Sequence, residues 1–317
     1  MKRLMCVVLI MLFVSGMLFA GGQSENEGSE GYELAVILME VENTFYQYVM
    51  QGMQKAADET GNKLIVGNAE SSVINEKHLV DTYIAQKADV IMLSAFDSEA
   101  SIPAIEAAKK AGVPIINWNT TNPAMQYFVG ADNYNLGYLA GEFMVENVNK
   151  EMGGKGTVGI VTADMFEVVQ WRVDGFLDAI KKQPGIKVVG RQDGRTPEEA
   201  QQKTEAMIQA FPELDLMFAT TGAATMGILS SLRATGKEAD VKVYGTDLDE
   251  VLANQLLSDK SPVMSISAQS AIDMGYTTYM TGLKIISGDN VDMKTYVPVE
   301  IYKKGESERI NEWLKNN

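Results

Sequence analysis

Six short stretches of this sequence gather side chains suited to holding a small polar molecule. The first half has Glu42-Asn43-Thr44-Phe45-Tyr46, Ser94-Ala95-Phe96-Asp97 and Trp118-Asn119-Thr120. The second half has the span from Asp164 to Arg172, then Thr220-Thr221-Gly222 and Gly245-Thr246-Asp247. Each hydroxyl of a polyol both donates and accepts, so recognising one calls for planar amide, carboxylate or guanidinium groups in fixed geometry. Aromatic faces cover the apolar C–H patches of such a ring, and Trp171 beside Arg172 is a candidate platform.

Each candidate also has a plain structural reading. Asp247 opens Asp247-Leu248-Asp249-Glu250, an acidic helix start favoured by the dipole. Arg172 is equally at home as a solvated surface residue, and Asn43 and Asn119 are common satisfiers of turn backbone. Phe45 fits a helical period and Trp118 follows an apolar run, so both are also core candidates; Tyr46 combines a ring with a hydroxyl able to reach a cleft.

Other chemistries fit less well. Phosphate binding calls for a glycine-rich turn after a strand, whereas Gly153-Gly154-Lys155-Gly156-Thr157 has the wrong spacing for a P-loop and precedes its strand. No Gly-x-Ser-x-Gly elbow occurs, and the one histidine, His78, lies in Glu76-Lys77-His78-Leu79 and reads as an exposed helix residue. The enzymatic alternative is an exported glycosidase using a carboxylate pair such as Asp164 and Asp247.

The elements that position these stretches are legible in outline. Leu34-Ala35-Val36-Ile37-Leu38-Met39 is a continuous apolar run, the mark of a strand covered on both faces. A helix follows with Phe45, Val49, Met53 and Ala56 on one face and Gly61 as its stop. Lys63–Val66, Val90–Leu93, Val113–Ile116 and Tyr127–Val129 continue a strand–helix alternation that describes a parallel α/β unit. A second series runs through Thr157–Val161, Lys187–Val189, Leu216–Ala219 and Val241–Tyr244, with a helix over Asp132 to Lys150 between the two. The candidate residues follow directly on strands, where open α/β sheets bind their ligands.

Met1-Lys2-Arg3, an apolar run from Leu4 to Val14 and the small Ala20 ahead of Gly21-Gly22 have the layout of a signal peptide over 1–20. Residues 21–31 are Gly, Gln, Ser, Glu and Asn, a flexible tether. The only cysteine, Cys6, falls inside the signal and lacks the context for lipid modification, which predicts a released periplasmic protein without disulfides or a lipid anchor. Against 27 basic residues stand 42 acidic ones, a balance that disfavours nucleic acid and anionic membranes as partners.

The order and spacing of several segments resemble the periplasmic sugar-binding proteins of the ribose- and galactose-binding type, whose core is shared with lactose-repressor-like regulators. The carrying segments are Asn43-Thr44-Phe45-Tyr46, Ala88-Asp89-Val90-Ile91, Ala111-Gly112-Val113-Pro114-Ile115, Val129-Gly130-Ala131-Asp132-Asn133, Arg172-Val173-Asp174-Gly175-Phe176, Val243-Tyr244-Gly245-Thr246-Asp247 and Ser267-Ala268-Gln269. They extend over about Leu34 to Lys304. The resemblance implies the type I periplasmic-binding-protein fold: two similar α/β lobes, each a parallel sheet flanked by helices, joined by short hinge strands. One lobe would comprise residues 32–131 plus 270–297, the other 132–269 plus 298–305, with a tail helix over 306–317.

By position, the resemblance implies ligand contacts from Asn43, Phe45, Tyr46, Ser94, Trp118 and Asn119 in the first lobe, and from Trp171, Arg172, Thr221, Asp247 and Gln269 in the second lobe and hinge. Asn119 stands where ribose-binding proteins have aspartate, Thr120 where they have arginine, Ser94 where they have asparagine, and Thr221-Gly222 where they have Asn-Asp, so ribose itself is disfavoured. The galactose-type calcium loop has no counterpart near Asn147 to Gly156, where Glu151 is the one acidic residue. The expectation is a monomeric solute-binding component that delivers a small polar ligand, a monosaccharide foremost, to the permease subunits of an ABC importer, with no cofactor, metal or catalytic residue. Within the binding proteins, a non-sugar or sugar-like signalling ligand is the alternative.

Overall fold

The computed structural model describes residues 31–316. The signal peptide expected over 1–20 and the tether up to residue 30 lie outside them. The chain opens with β1 (Glu33–Leu38), α1 (Thr44–Thr60), β2 (Lys63–Asn68), α2 (Val73–Ala85), β3 (Val90–Leu93), α3 (Ile102–Ala111), β4 (Ile115–Trp118) and β5 (Tyr127–Ala131). There follow α4 (Asn133–Glu151), β6 (Gly156–Thr162), α5 (Glu167–Ile180), β7 (Ile186–Asp193), α6 (Pro197–Ala210), β8 (Leu216–Ala219), α7 (Gly222–Thr235), β9 (Lys242–Thr246), α8 (Glu250–Leu257) and β10 (Val263–Gln269). The chain closes with α9 (Ala271–Ile286), β11 (Lys294–Val297), β12 (Val299–Lys303) and α10 (Ser307–Asn316).

Two six-stranded sheets result, ordered β11-β5-β4-β3-β1-β2 and β12-β10-β9-β8-β6-β7. The apolar run of β1 divides between the faces of the first sheet: Leu34, Val36 and Leu38 pack with α1 and α9 residues such as Val49, Met53 and Met274, while Ala35 and Ile37 pack with Val80, Ala104 and Ile105 on the other side. Burial on both faces is why the run is continuous.

The first sheet is wholly parallel, but β12 runs antiparallel to β10, with Gln269 opposite Val299. The expected pair of parallel sheets flanked by helices is present, with β12 as a single antiparallel edge strand. β12 arrives from β11 of the other sheet through Pro298 alone, without the crossover helix that a parallel neighbour requires. β10 itself has no apolar run to announce it, because Ser265 and Ser267 occupy fully buried positions.

The chain passes between the sheets three times, each time across one residue: Asp132 between β5 and α4, Ser270 between β10 and α9, and Pro298 between β11 and β12. Helix α4 packs on α5, and α9 packs on α1. Both pairings depend on glycine. A Cβ on Gly52 would lie 1.9 Å from the Ile272 carbonyl oxygen and one on Gly275 1.8 Å from that of Val49. In the other sheet's helices, a Cβ on Gly137 would lie 1.7 Å from the Arg172 carbonyl oxygen and one on Gly175 1.9 Å from that of Tyr134. Among the described residues no helix is long and apolar enough to cross a membrane.

Candidate functional site

The carboxyl ends of both sheets face one another. On the first sheet's side Asn43 caps α1, its side-chain oxygen accepting from the Phe45 N–H at 3.0 Å. The cap fixes the first turn so that Phe45 stands edge-on to Tyr46, with centroids 5.4 Å apart, and Tyr46 stands edge-on to Trp118 at 5.7 Å. Tyr46 is buried, and its hydroxyl lies 3.4 Å from Met39 Sδ and 3.5 Å from Ser94 Oγ. Burial, aided by the charges of Glu40 and Asp247, pushes the Tyr46 hydroxyl up to about 12, against the opposing hydrogen bonds from Ser94 and Asn119. The phenol therefore stays protonated and able to donate. Trp118 is fully buried beneath it, a wall of the site's floor.

On the second sheet's side Arg172, on the second turn of α5, is 3% exposed and held from four directions. Its Nε donates to Asn133 Oδ1 at 2.8 Å, and Nη1 donates to the Thr220 carbonyl (2.9 Å), Thr246 Oγ1 (3.1 Å) and Asp247 Oδ2 (2.7 Å). The other carboxylate oxygen of Asp247 accepts from Gln269 Nε2 at 3.0 Å, while Gln269 Oε1 is buried and has no hydrogen-bond donor among the described residues. This arrangement presents planar donors and acceptors in fixed directions.

Asn119 and Asp247 share an unusual backbone. Each is the first residue after a strand, each has positive φ (62° and 64°), and each still donates its N–H to the next strand, to Val129 O at 2.9 Å and Ser267 O at 2.8 Å. Asx residues adopt this left-handed conformation more readily than other non-glycine residues. Turning the chain there aims the side chain beyond the sheet edge instead of into a face.

The rim is closed by groups from both sides. Thr121 Oγ1 donates to Glu167 Oε2 at 3.0 Å, and Phe96 meets Phe166 edge-on at 6.2 Å. The same four residues, with Thr120 and Met165 among others, line a cavity of about 240 Å³ at the rim, which Tyr46, Arg172 and Asp247 do not line. The strand-end rule picked out the loops that carry these residues but not the Thr121–Glu167 contact, which nothing in either loop's sequence signals.

The remaining expected positions divide. Thr221 caps α7, accepting from the Ala224 N–H at 3.1 Å. Trp171 packs with Ala163, Val168 and Val169 in a small cluster beside the rim. Asp164 is paired with Arg191 at 2.5 Å, so the two carboxylates of the glycosidase alternative are each already engaged with an arginine. His78 is exposed on α2. Among the described residues no group of three or more His, Cys, Asp or Glu could hold a metal ion.

A family model described as periplasmic binding protein domain matches residues 34–290. The chain is 28% identical over 288 residues to the ABC transporter periplasmic-binding protein YphF of Escherichia coli, covering 85% of each chain. It is 26% identical to the D-ribose/D-allose-binding protein of Pseudomonas aeruginosa, covering 83% of this chain and 84% of that one. Among solved structures it is similar to an ABC transporter periplasmic solute-binding protein from Actinobacillus succinogenes with bound D-allose, at 26% identity and a TM-score of 0.81, covering 88% of this chain and 99% of that one.

Proposed function

The chain belongs to the periplasmic binding protein family, and from that premise we propose that it captures a neutral monosaccharide between its two sheets and hands it to an ABC importer. It is a solute-binding component, not a catalyst. The observation that carries the sugar reading is the Arg172–Asp247–Gln269 group, which offers carboxylate oxygens, a guanidinium and an unpartnered amide oxygen opposite Tyr46 and Asn119. Each group fits a hydroxyl that donates and accepts at once. The one buried cation of the site is already neutralised by Asp247, so an anionic sugar acid or phosphate has no counter-charge to meet. Named relatives that bind ribose, allose or related sugars support the same class.

The ligand-binding set is then Asn43, Phe45, Tyr46, Ser94, Trp118, Asn119, Trp171, Arg172, Thr221, Asp247 and Gln269, with Trp118, Thr221 and Asn43 acting through the positions of their neighbours. Asp132, Ser270 and Pro298 are the hinges, which divides the chain into lobes at 32–131 plus 270–297 and 132–269 plus 298–305. Only the closed arrangement makes both sets of contacts, so the ligand shifts the population towards it. The closed monomer then docks on the permease. In this reading residues 1–20 are removed on export and the mature protein is free in the periplasm.

A thermal-shift screen against monosaccharides and cyclic polyols tests the proposal, since a ligand of the folded state raises the melting temperature with concentration. A rise with one or a few neutral sugars, and none with the corresponding sugar acids, is expected. A flat response across the whole panel would remove the sugar.

A further inference from the structure

Helix α10 is tied firmly to the second sheet. Ile310 is fully buried in that sheet's core, Arg309 donates to the Ile301 carbonyl at 2.6 Å and to Glu300 at 2.7 Å, and its guanidinium lies 4.3 Å over the Tyr302 ring. Trp313, one turn on, packs edge-on to Tyr302 at 6.5 Å. It also packs edge-on to Tyr48, at 6.1 Å and 81°, and Tyr48 belongs to α1, a helix of the first sheet.

Tyr48 also faces the start of α8 on the same side. Burial and the charges of Asp249 and Glu250 there hold its hydroxyl above the ordinary tyrosine value. Helix α8 begins three residues after Asp247, and Tyr48 lies two residues after Tyr46. The same two elements that face each other with Tyr46 and Asp247 therefore meet again, with Tyr48 placed between the α8 start and Trp313.

We infer that Tyr48 and Trp313 form a clasp between the lobes, two positioning residues that favour the closed arrangement before any ligand arrives, and that α10 serves to hold Trp313 for it. The inference rests on the two-lobe architecture and not on what the ligand is. Edge-on aromatic pairs are strong enough to change the closed-to-open ratio about two- to tenfold.

Small-angle X-ray scattering of the ligand-free full chain tests it without assuming a ligand, with thermal melts run alongside. Tyr48→Ala and Trp313→Ala should each enlarge the radius of gyration, and the double variant should enlarge it no further, because one contact is lost in all three. Tyr48→Phe should keep the wild-type radius, the ring pair being intact. Tyr48→Ala is expected to melt as the wild type does; Trp313→Ala is allowed to melt lower through its packing on Tyr302, which is why Tyr48→Ala decides. A wild-type radius in Tyr48→Ala, or shifts that add in the double variant, would overturn the clasp. A negative sugar screen would leave this result standing, and a positive one would not rescue it.

Discussion

Nη1 of Arg172 lies 2.7 Å from Oδ2 of Asp247, and the arginine side chain is only 4% exposed while the carboxylate is 20% exposed. The pair is thus part of the fold as well as of the site. In sequence terms Asp247→Ala looks like a clean removal of a ligand contact, but it leaves a buried guanidinium without its counter-charge. Urea unfolding should show a loss of about 3 kcal/mol, at the low end for a broken buried pair because the Thr220 and Thr246 oxygens remain. Asp247→Asn keeps an acceptor oxygen and the shape. It should recover the part of that loss that comes from the lost hydrogen bonds and cavity but not the part due to charge, and bind the sugar found by the thermal screen at least tenfold more weakly by calorimetry; wild-type affinity in this variant would take Asp247 out of the site.

Asn119 is expected to separate backbone from side chain. Its φ of 62° suits glycine at least as well as asparagine, so Asn119→Gly should leave the melting temperature unchanged or slightly higher. Binding of the same sugar should weaken by about 1 kcal/mol, the net worth of one hydrogen bond. Should affinity survive intact, Asn119 supplies a turn and nothing more.

The glycine contacts between helices should be unforgiving. Gly275→Ala places a methyl group 1.8 Å from the Val49 carbonyl oxygen, and Gly137→Ala places one 1.7 Å from that of Arg172. Neither neighbour is a flexible side-chain end, so the helices must separate, at a cost of about 3 kcal/mol. Differential scanning calorimetry should show both variants melting well below wild type, and Gly137→Ala should also bind ligand more weakly because it displaces the backbone of Arg172.

Glu76 on α2 gives a pH dependence. It is fully buried and accepts the Phe96 N–H at 2.9 Å, so it ties α2 to the loop carrying Ser94. Burial raises its carboxyl above the ordinary value, outweighing the hydrogen bonds from Phe96 and Ser101. A raised folded-state value means that the folded form holds the proton more tightly. The resulting stability is present below the unfolded carboxylate value and is lost as pH rises through the folded one. Glu76→Gln, which cannot ionise, should therefore gain on the wild type as pH rises out of the carboxylate range, in urea titrations across pH 4 to 7. A constant difference between the two proteins would show that Glu76 does not titrate on unfolding.

The sequence was most readable where one residue's place followed from its own strand. Leu34 to Leu38 is apolar on both faces because helices cover both; Asn119 and Asp247 could be picked out because they directly follow strands, and Arg172 because it lies in the segment after β6. β10 escaped because Ser265 and Ser267 are polar residues in a buried strand. Thr121 with Glu167, and Tyr48 with Trp313, are partners only once the two sheets have met, and no local pattern carries that information. Gly52 and Gly275 are explained only by the opposing carbonyls, which belong to another helix.

Those glycine contacts also bear on the proposed hinges. Helix α4 starts directly after Asp132 and is locked against the backbone of Arg172; helix α9 starts directly after Ser270 and is locked against α1, which carries Tyr46. With the proposed hinges at Asp132 and Ser270, each jaw is bolted to its own pivot, so a rotation at either residue would carry the gripping side chains with it as one body.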